Sequence, residues 1–112
     1  MRMRIERSSR GSILVIEAGG RVDSVSAEQL GSFLSYEIDA GGRKLVLDLQ
    51  RVESMGQDGL WEMLSALKRV RRANGDLRLA QPSDRVREAL EMSGLDELFR
   101  IYESQAEAVG SY

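Results

Sequence analysis

The chain has 112 residues, carries a net charge of −2 and contains neither Cys nor His. That length suits one domain, spanning residues 1–112, with enough chain to bury a core. The 42% hydrophobic and 30% charged content is an ordinary globular balance, and the charge gives no general attraction to DNA, RNA or anionic membranes. The missing Cys excludes disulfides and thiolate chemistry, and the missing His removes the commonest general base and transition-metal ligand. No apolar run approaches the ~20 residues of a spanning helix. The arginines near the start are not followed by the apolar stretch of a secretory signal, so a cytoplasmic location is expected.

Met1 to Glu6 alternates apolar and polar residues, with Met1, Met3 and Ile5 on one side. That period of two predicts a strand with one wet face, at a sheet edge. After a polar turn over Arg7–Gly11, Ile13-Leu-Val-Ile16 predicts a strand covered on both faces. Gly19-Gly20 is expected to break it. Ser26 with Gln29 reads as a capping box, and Val25 with Leu30 as its hydrophobic staple. Leu30, Phe33, Leu34 and Ile38 recur at helical spacing, and Gly41-Gly42 supplies a left-handed stop.

Leu45 to Leu49 is the central strand. A short turn should follow, leading into an amphipathic helix at about Gly59 with Leu60, Met63, Leu64, Leu67 and Val70 on its apolar face. Lys68, Arg69, Arg71 and Arg72 crowd its last turns, where positive charge suits the helix dipole, and Ala73-Asn74-Gly75 ends it. Leu77–Ala80 is a short strand, and strand–helix–strand of this length implies parallel pairing. Pro82 forbids continuation, and Ser83 caps a third helix through Val86, Ala89 and Leu90. Gly94-Leu95 reads as a Schellman ending. Phe99–Tyr102 is a short extended piece, and Ser104–Val109 a frayed terminal helix.

Several residues invite functional readings. Asp48, Glu53 and Asp58 are carboxylates close in sequence, yet no nucleophile–base pair accompanies them, so an enzyme is not expected. Asp48 reads more simply as a strand-end carboxylate accepting backbone N–H groups. The glycine pairs are too short for a phosphate-binding fingerprint and read as turns and caps. The Lys68–Arg72 cluster lacks the interleaved aromatics of a nucleic-acid surface and reads as a solvated helix end. Trp61 is either partial core or an exposed anchor for a partner. Asp58 reads first as a helix cap accepting an orphan N–H. Nothing in the chain calls for a cofactor or a metal.

In order, the chain carries Gly20-Arg-Val-Asp23, Ser26-Ala27, Leu30, Leu47-Asp48-Leu49 and Val52. It continues with Asp58-Gly59-Leu60, Gly75-Asp-Leu-Arg-Leu79, Val86, Leu90, Ser93-Gly94-Leu95 and Phe99-Arg-Ile-Tyr102. Each motif alone is weak. Together, from about residue 4 to residue 108, they make the chain resemble the STAS domain family, and within it the bacterial anti-sigma factor antagonists. The resemblance implies an α/β fold, with a four- or five-stranded mixed sheet and about four helices, mostly against one face. It also implies a binding module in partner switching. There the antagonist captures an anti-sigma factor that is a serine kinase, and is released when that kinase phosphorylates a serine at the start of the second helix. A phosphate adds about −1.5 to −2 charges at the contact.

The critical turn departs from the family pattern. Relatives usually read Asp-Ser-Ser-Gly or Asp-Ser-Thr-Gly there; this chain reads Gly56-Gln57-Asp58-Gly59. The phosphoacceptor position falls on Asp58, which a serine kinase cannot phosphorylate. Three consequences are open: a mimic of the phosphorylated state, a binder that the kinase cannot switch off, or a module that has moved to another complex. Ser54 lies four residues early for a substitute acceptor. The resemblance places the partner-binding surface on Asp23, Ser24, Gly56, Gln57, Asp58, Gly59 and Trp61. The implied partner is an anti-sigma factor of the serine-kinase type, with no direct contact to nucleic acid or membrane. Trp61 and the Met1–Glu6 edge are candidate contacts of a homodimer. The competing readings are a STAS-domain accessory subunit of another assembly, such as a transporter, and a weak nucleotide-binding domain.

Overall fold

A computed structural model describes residues 3–112 of the chain. Met1, expected to share a strand face with Met3 and Ile5, lies outside the described residues. Strands β1 (Arg4–Arg10) and β2 (Ile13–Val22) form an antiparallel hairpin, turning at Gly11, whose φ of +62° suits a residue without Cβ. The chain then alternates through α1 (Ser24–Asp39), β3 (Lys44–Met55), α2 (Gln57–Arg72), β4 (Asp76–Ala80) and α3 (Asp84–Ser93). A 3-10 turn (Leu95–Glu97), β5 (Ile101–Tyr102) and α4 (Gln105–Gly110) complete it. The five strands stand in sheet order β1-β2-β3-β4-β5. Only β1–β2 is antiparallel; every later pair is parallel. No helix of the described residues is long and apolar enough to cross a membrane.

Consecutive parallel strands joined by crossovers of one hand carry their helices to one face. Accordingly Leu30, Leu34 and Ile38 of α1, Met63, Leu67 and Val70 of α2, and Val86 and Leu90 of α3 share a core with Leu45, Leu47, Leu49, Leu77 and Leu79. The opposite face carries a second, smaller cluster. There Val15, Val46 and Ala80 are covered by Ala108, with Val109 and Tyr112 beside it. The terminal helix expected to fray is therefore a packed cover. Its N-cap Ser104 accepts a hydrogen bond from Glu107 N. Tyr112 Oη accepts from Leu45 N at 3.1 Å and can donate to Leu45 O or Asp76 O. Arg78 lies over the Tyr112 ring, 3.9 Å from its centre.

Both long strands exceed their expected lengths. β2 runs through Gly19-Gly20 to Val22, taking up the glycines in two register irregularities against β3. β3 runs to Met55 because that extension pairs with it: Gly20 with Val52, Arg21 with Ser54, Val22 with Met55. The polar stretch after Leu49 is thus a strand with Val52 and Met55 turned into the core, and the expected turn reduces to Gly56.

The helix starts also shift. α1 begins at Ser24, not at a Ser26 cap. Asp23 is the N-cap: its carboxylate accepts from Val25 N and Ser26 N, and its own N–H donates to Ser26 Oγ at 2.8 Å. Ser26 therefore occupies the third position of the box rather than the first. Val25 is 76% exposed, so the expected staple to Leu30 is not made. The other stops follow expectation: Gly41 and Gly94 have φ of +104° and +77°, and Ser83 Oγ accepts from Val86 N.

Candidate functional site

Because β2, β3 and β4 are parallel, α1, α2 and α3 all begin at the same end of the sheet. Two of those helix starts are tied together. Val22 and Met55 are register partners, and Gly56 N donates to Val22 O at 2.9 Å. That single bond sets Asp23, the cap of α1, beside Gly56, the cap of α2. On the far side Ser83 Oγ donates to Val52 O at 2.9 Å, anchoring the start of α3.

Gly56 caps α2 with extended backbone and no side-chain hydrogen bond. Asp58 lies inside the first turn of α2, not at its cap. Among the described residues it makes no hydrogen bond or ion pair, so the expected capping bond is corrected to a through-space interaction with the helix dipole. The side chain is exposed, as are Gln57 and Gly56. Asp23 and Ser24 are exposed beside them, and Trp61, one turn further along α2, is 54% exposed. The surface residues expected from the turn motif thus form one exposed corner. Gly59 is the exception, since it is buried: a Cβ there would stand 2.7 Å from Val22 Cγ1 and 2.8 Å from Met55 Cγ. Gly59 serves packing between α2 and the strand ends, and Gly56, whose Cβ would meet only Val22 O at 3.6 Å, does not.

The electrostatics of the corner are acidic. The backbone N–H of Ser26, then its hydroxyl, hold the Asp23 carboxyl below its ordinary range. Asp58 adds a second carboxylate, the acidic residue of the α2 first turn. The other end of α2 is basic. Arg69 donates to Ser35 Oγ and pairs with Asp39. Arg71 pairs with Asp76 at 2.9 Å and donates to Leu98 O. Lys68 and Arg72 remain exposed and make no ion pair among the described residues.

The three carboxylates near one another in sequence do not form one constellation. Asp48 faces away from α2, on the side covered by α4, and is 4% exposed. It accepts from Gln50 N, from Gln81 Nε2 at 3.0 Å and from Gln105 Nε2 at 2.8 Å. Only one of these is the backbone bond expected of it; the glutamines come from distant segments. Glu53 shares with Asp48 an open groove of about 470 Å³ bounded by β1, β2 and β3, while Asp58 stands on the helix side.

One feature escapes the sequence motifs. Between α2 and the end of α3 lies an open groove of about 390 Å³ lined by Gln57, Leu60, Trp61, Leu64, Ser93 and Leu95. Met92 and Leu98, nearby in chain, are 81% and 45% exposed. The available signal is an apolar residue off the buried stripe of its own element, as Met92 is on α3.

Comparison with known proteins agrees with this architecture. The family model for the STAS domain matches residues 4–108. The candidate anti-sigma factor antagonist BtrV of Bordetella bronchiseptica is 32% identical over 98% of this chain and 95% of its own length. The anti-sigma-B factor antagonist of Staphylococcus aureus is 25% identical over 92% of this chain and 95% of its own length. In three dimensions, the crystal structure of a candidate anti-sigma factor antagonist from Thermotoga maritima superposes with a TM-score of 0.90 at 21% identity. That match covers 96% of this chain and 92% of the other.

Proposed function

The chain belongs to the STAS domain family, as an anti-sigma factor antagonist-like member, and from that premise we propose that it captures an anti-sigma factor of the serine-kinase type in a partner switch that its own kinase cannot reset at the usual position. Anti-sigma factor antagonists are non-enzymatic regulators, so the work is done by a contact surface. The observation that carries the reading is the exposed corner of Gly56, Gln57, Asp58 and Trp61 beside Asp23 and Ser24, held by the Gly56–Val22 hydrogen bond. The proposed setting is the cytoplasm.

Asp58 is the fixed element of this surface. A carboxylate carries one charge where a phosphoserine carries about −1.5 to −2, and the first-turn N–H groups of α2 partly offset it. Asp58 is therefore tolerated by a matched partner and gives constitutive binding, not a standing imitation of the released state.

The test is titration calorimetry with each kinase-type anti-sigma factor encoded in the same genome. Saturable binding to one of them, weakened at least tenfold by the double change Gln57→Arg and Asp58→Arg, is the expected result. Retention by a transporter ATPase, with no anti-sigma factor bound, would transfer the chain to an accessory role.

A further inference from the structure

We propose that the groove bounded by β1, β2 and β3, on the sheet face opposite α2, binds a small zwitterion of the α-amino-acid class, its ammonium against Glu17 and Asp48 and its carboxylate against Arg51. The groove lies apart from the helix-start corner, and the proposal does not depend on which protein that corner binds. Its volume of about 470 Å³ is in the range of small-molecule sites. Its middle is bare because β2 places Gly19-Gly20 there, at the register irregularities against β3. Glycine inside a strand suits a place where another group comes close to the backbone. Gly19 pairs with Arg51, and a Cβ on Gly19 would stand 3.2 Å from Arg51 Cβ. The bare position thus leaves room beside the root of the Arg51 side chain.

The lining sorts its charges by position. At one end Glu17 and Asp48 are register partners, and one amide nitrogen, Gln105 Nε2, donates to both, at 3.2 and 2.8 Å. Arg10 donates to the oxygen of that amide at 3.1 Å, which keeps the NH2 turned to the carboxylates. Asp48 is 4% exposed, its three donors are all neutral, and it makes no ion pair among the described residues. A buried carboxylate without a cation is a costly arrangement, and an ammonium entering beside Glu17 relieves it. Three residues further along β3, about 10 Å, Arg51 is exposed and makes no hydrogen bond or ion pair among the described residues. Its guanidinium can hold a carboxylate through two parallel bonds. On the β1 wall Arg4 and Glu6 satisfy each other at 3.5 Å, and Glu53 lies beyond Arg51 on β3. Only a ligand carrying both charges uses both ends: a simple anion meets the carboxylates, and a simple cation leaves Arg51 idle.

The experiment titrates the nitrogen-15-labelled full chain with each of the common α-amino acids, beside acetate and ethylamine as single-charge probes. At least one amino acid should saturate with a Kd below about 1 mM, moving the amide signals of Glu17, Gly19 and Arg51. Acetate and ethylamine should bind at least tenfold more weakly. Glu17→Gln and Arg51→Gln, both at exposed positions, should each weaken the amino acid at least tenfold, and circular dichroism confirms that they fold. Arg51→Lys keeps the charge and loses the planar fork, so it should recover only part of the affinity. The site is overturned if no amino acid saturates, if ethylamine binds as tightly as the best amino acid, or if both Gln variants bind as the wild type does. None of these outcomes touches capture of the anti-sigma factor, which is measured without added amino acid.

Discussion

Gly59 lies so close to Val22 that a single added methyl carbon would reach 2.7 Å from Val22 Cγ1. The first turn of α2 can rest on the ends of β2 and β3 only because that position is bare. Gly59→Ala should therefore destabilise the protein by about 1–3 kcal/mol through overpacking, in spite of alanine's better helix propensity. Urea denaturation measures it. Gly56→Asp, three residues earlier, should be neutral or stabilising by a few tenths of a kcal/mol, since it adds a capping carboxylate into free space. Equal losses at the two glycines would show that α2 does not sit as described.

Wild-type protein incubated with its kinase-type partner and ATP should take up no phosphate at Asp58, read by intact-mass spectrometry. Asp58→Ser should take up one, and its complex should then dissociate. Affinity of Asp58→Ala within about tenfold of the wild type (about 1.4 kcal/mol) fits constitutive binding. A wild type more than a hundredfold weaker than unphosphorylated Asp58→Ser would instead make Asp58 a phosphate mimic.

Acid should expose the Asp23 cap. Its folded carboxyl titrates below the ordinary 3.8, because Ser26 N–H and hydroxyl favour the charged form. A group depressed in the folded state contributes stability above its unfolded value, and that contribution fades as pH falls through the folded one. Wild type should thus exceed Asp23→Asn in stability near neutrality, with the gap closing below about pH 4. A gap that widens in acid would reverse the assignment.

The α4 cover should depend on polar bonds to the sheet. Tyr112→Phe removes one hydroxyl shared by Leu45 N, Leu45 O and Asp76 O. The expected cost is about 1–2 kcal/mol, with faster hydrogen exchange at the Leu45 amide. Gln105→Ala takes one of the three donors from buried Asp48 and should cost about 1.5–3 kcal/mol, the range for a bond to a charged group.

What the sequence makes legible here is mostly local. The helical spacing of Leu30, Leu34 and Ile38, the Ser83 cap and the Gly94 stop each lie within a few residues of what they determine. Most of the larger misses are partnerships across the chain. Arg51 to Met55 looks like a turn until the strand extension at Gly20–Val22 is there to pair with it. The last helix looks frayed until Gln105 meets Asp48, 57 residues away. Asp23 and Ser26 both suit a cap, and composition does not choose between them. The stretch Gly56–Trp61 is contiguous in sequence, so its place at the start of a helix is readable; its neighbourhood with Asp23 and the groove that brings Ser93 and Leu95 against Leu64 are announced by no local pattern.

The hairpin leaves β1 with one open side, since the sheet order ends there. Its sequence is Arg-Ile-Glu-Arg-Ser-Ser-Arg, with Arg4 tied to Glu6 and Arg7 to Glu37. Two such strands meeting head to tail about Arg7 would set guanidinium against guanidinium at the centre and again where Arg4 faces Arg10. Pairing of two molecules across this edge is discouraged by that repulsion, and crowded conditions should leave the protein dispersed by way of this edge.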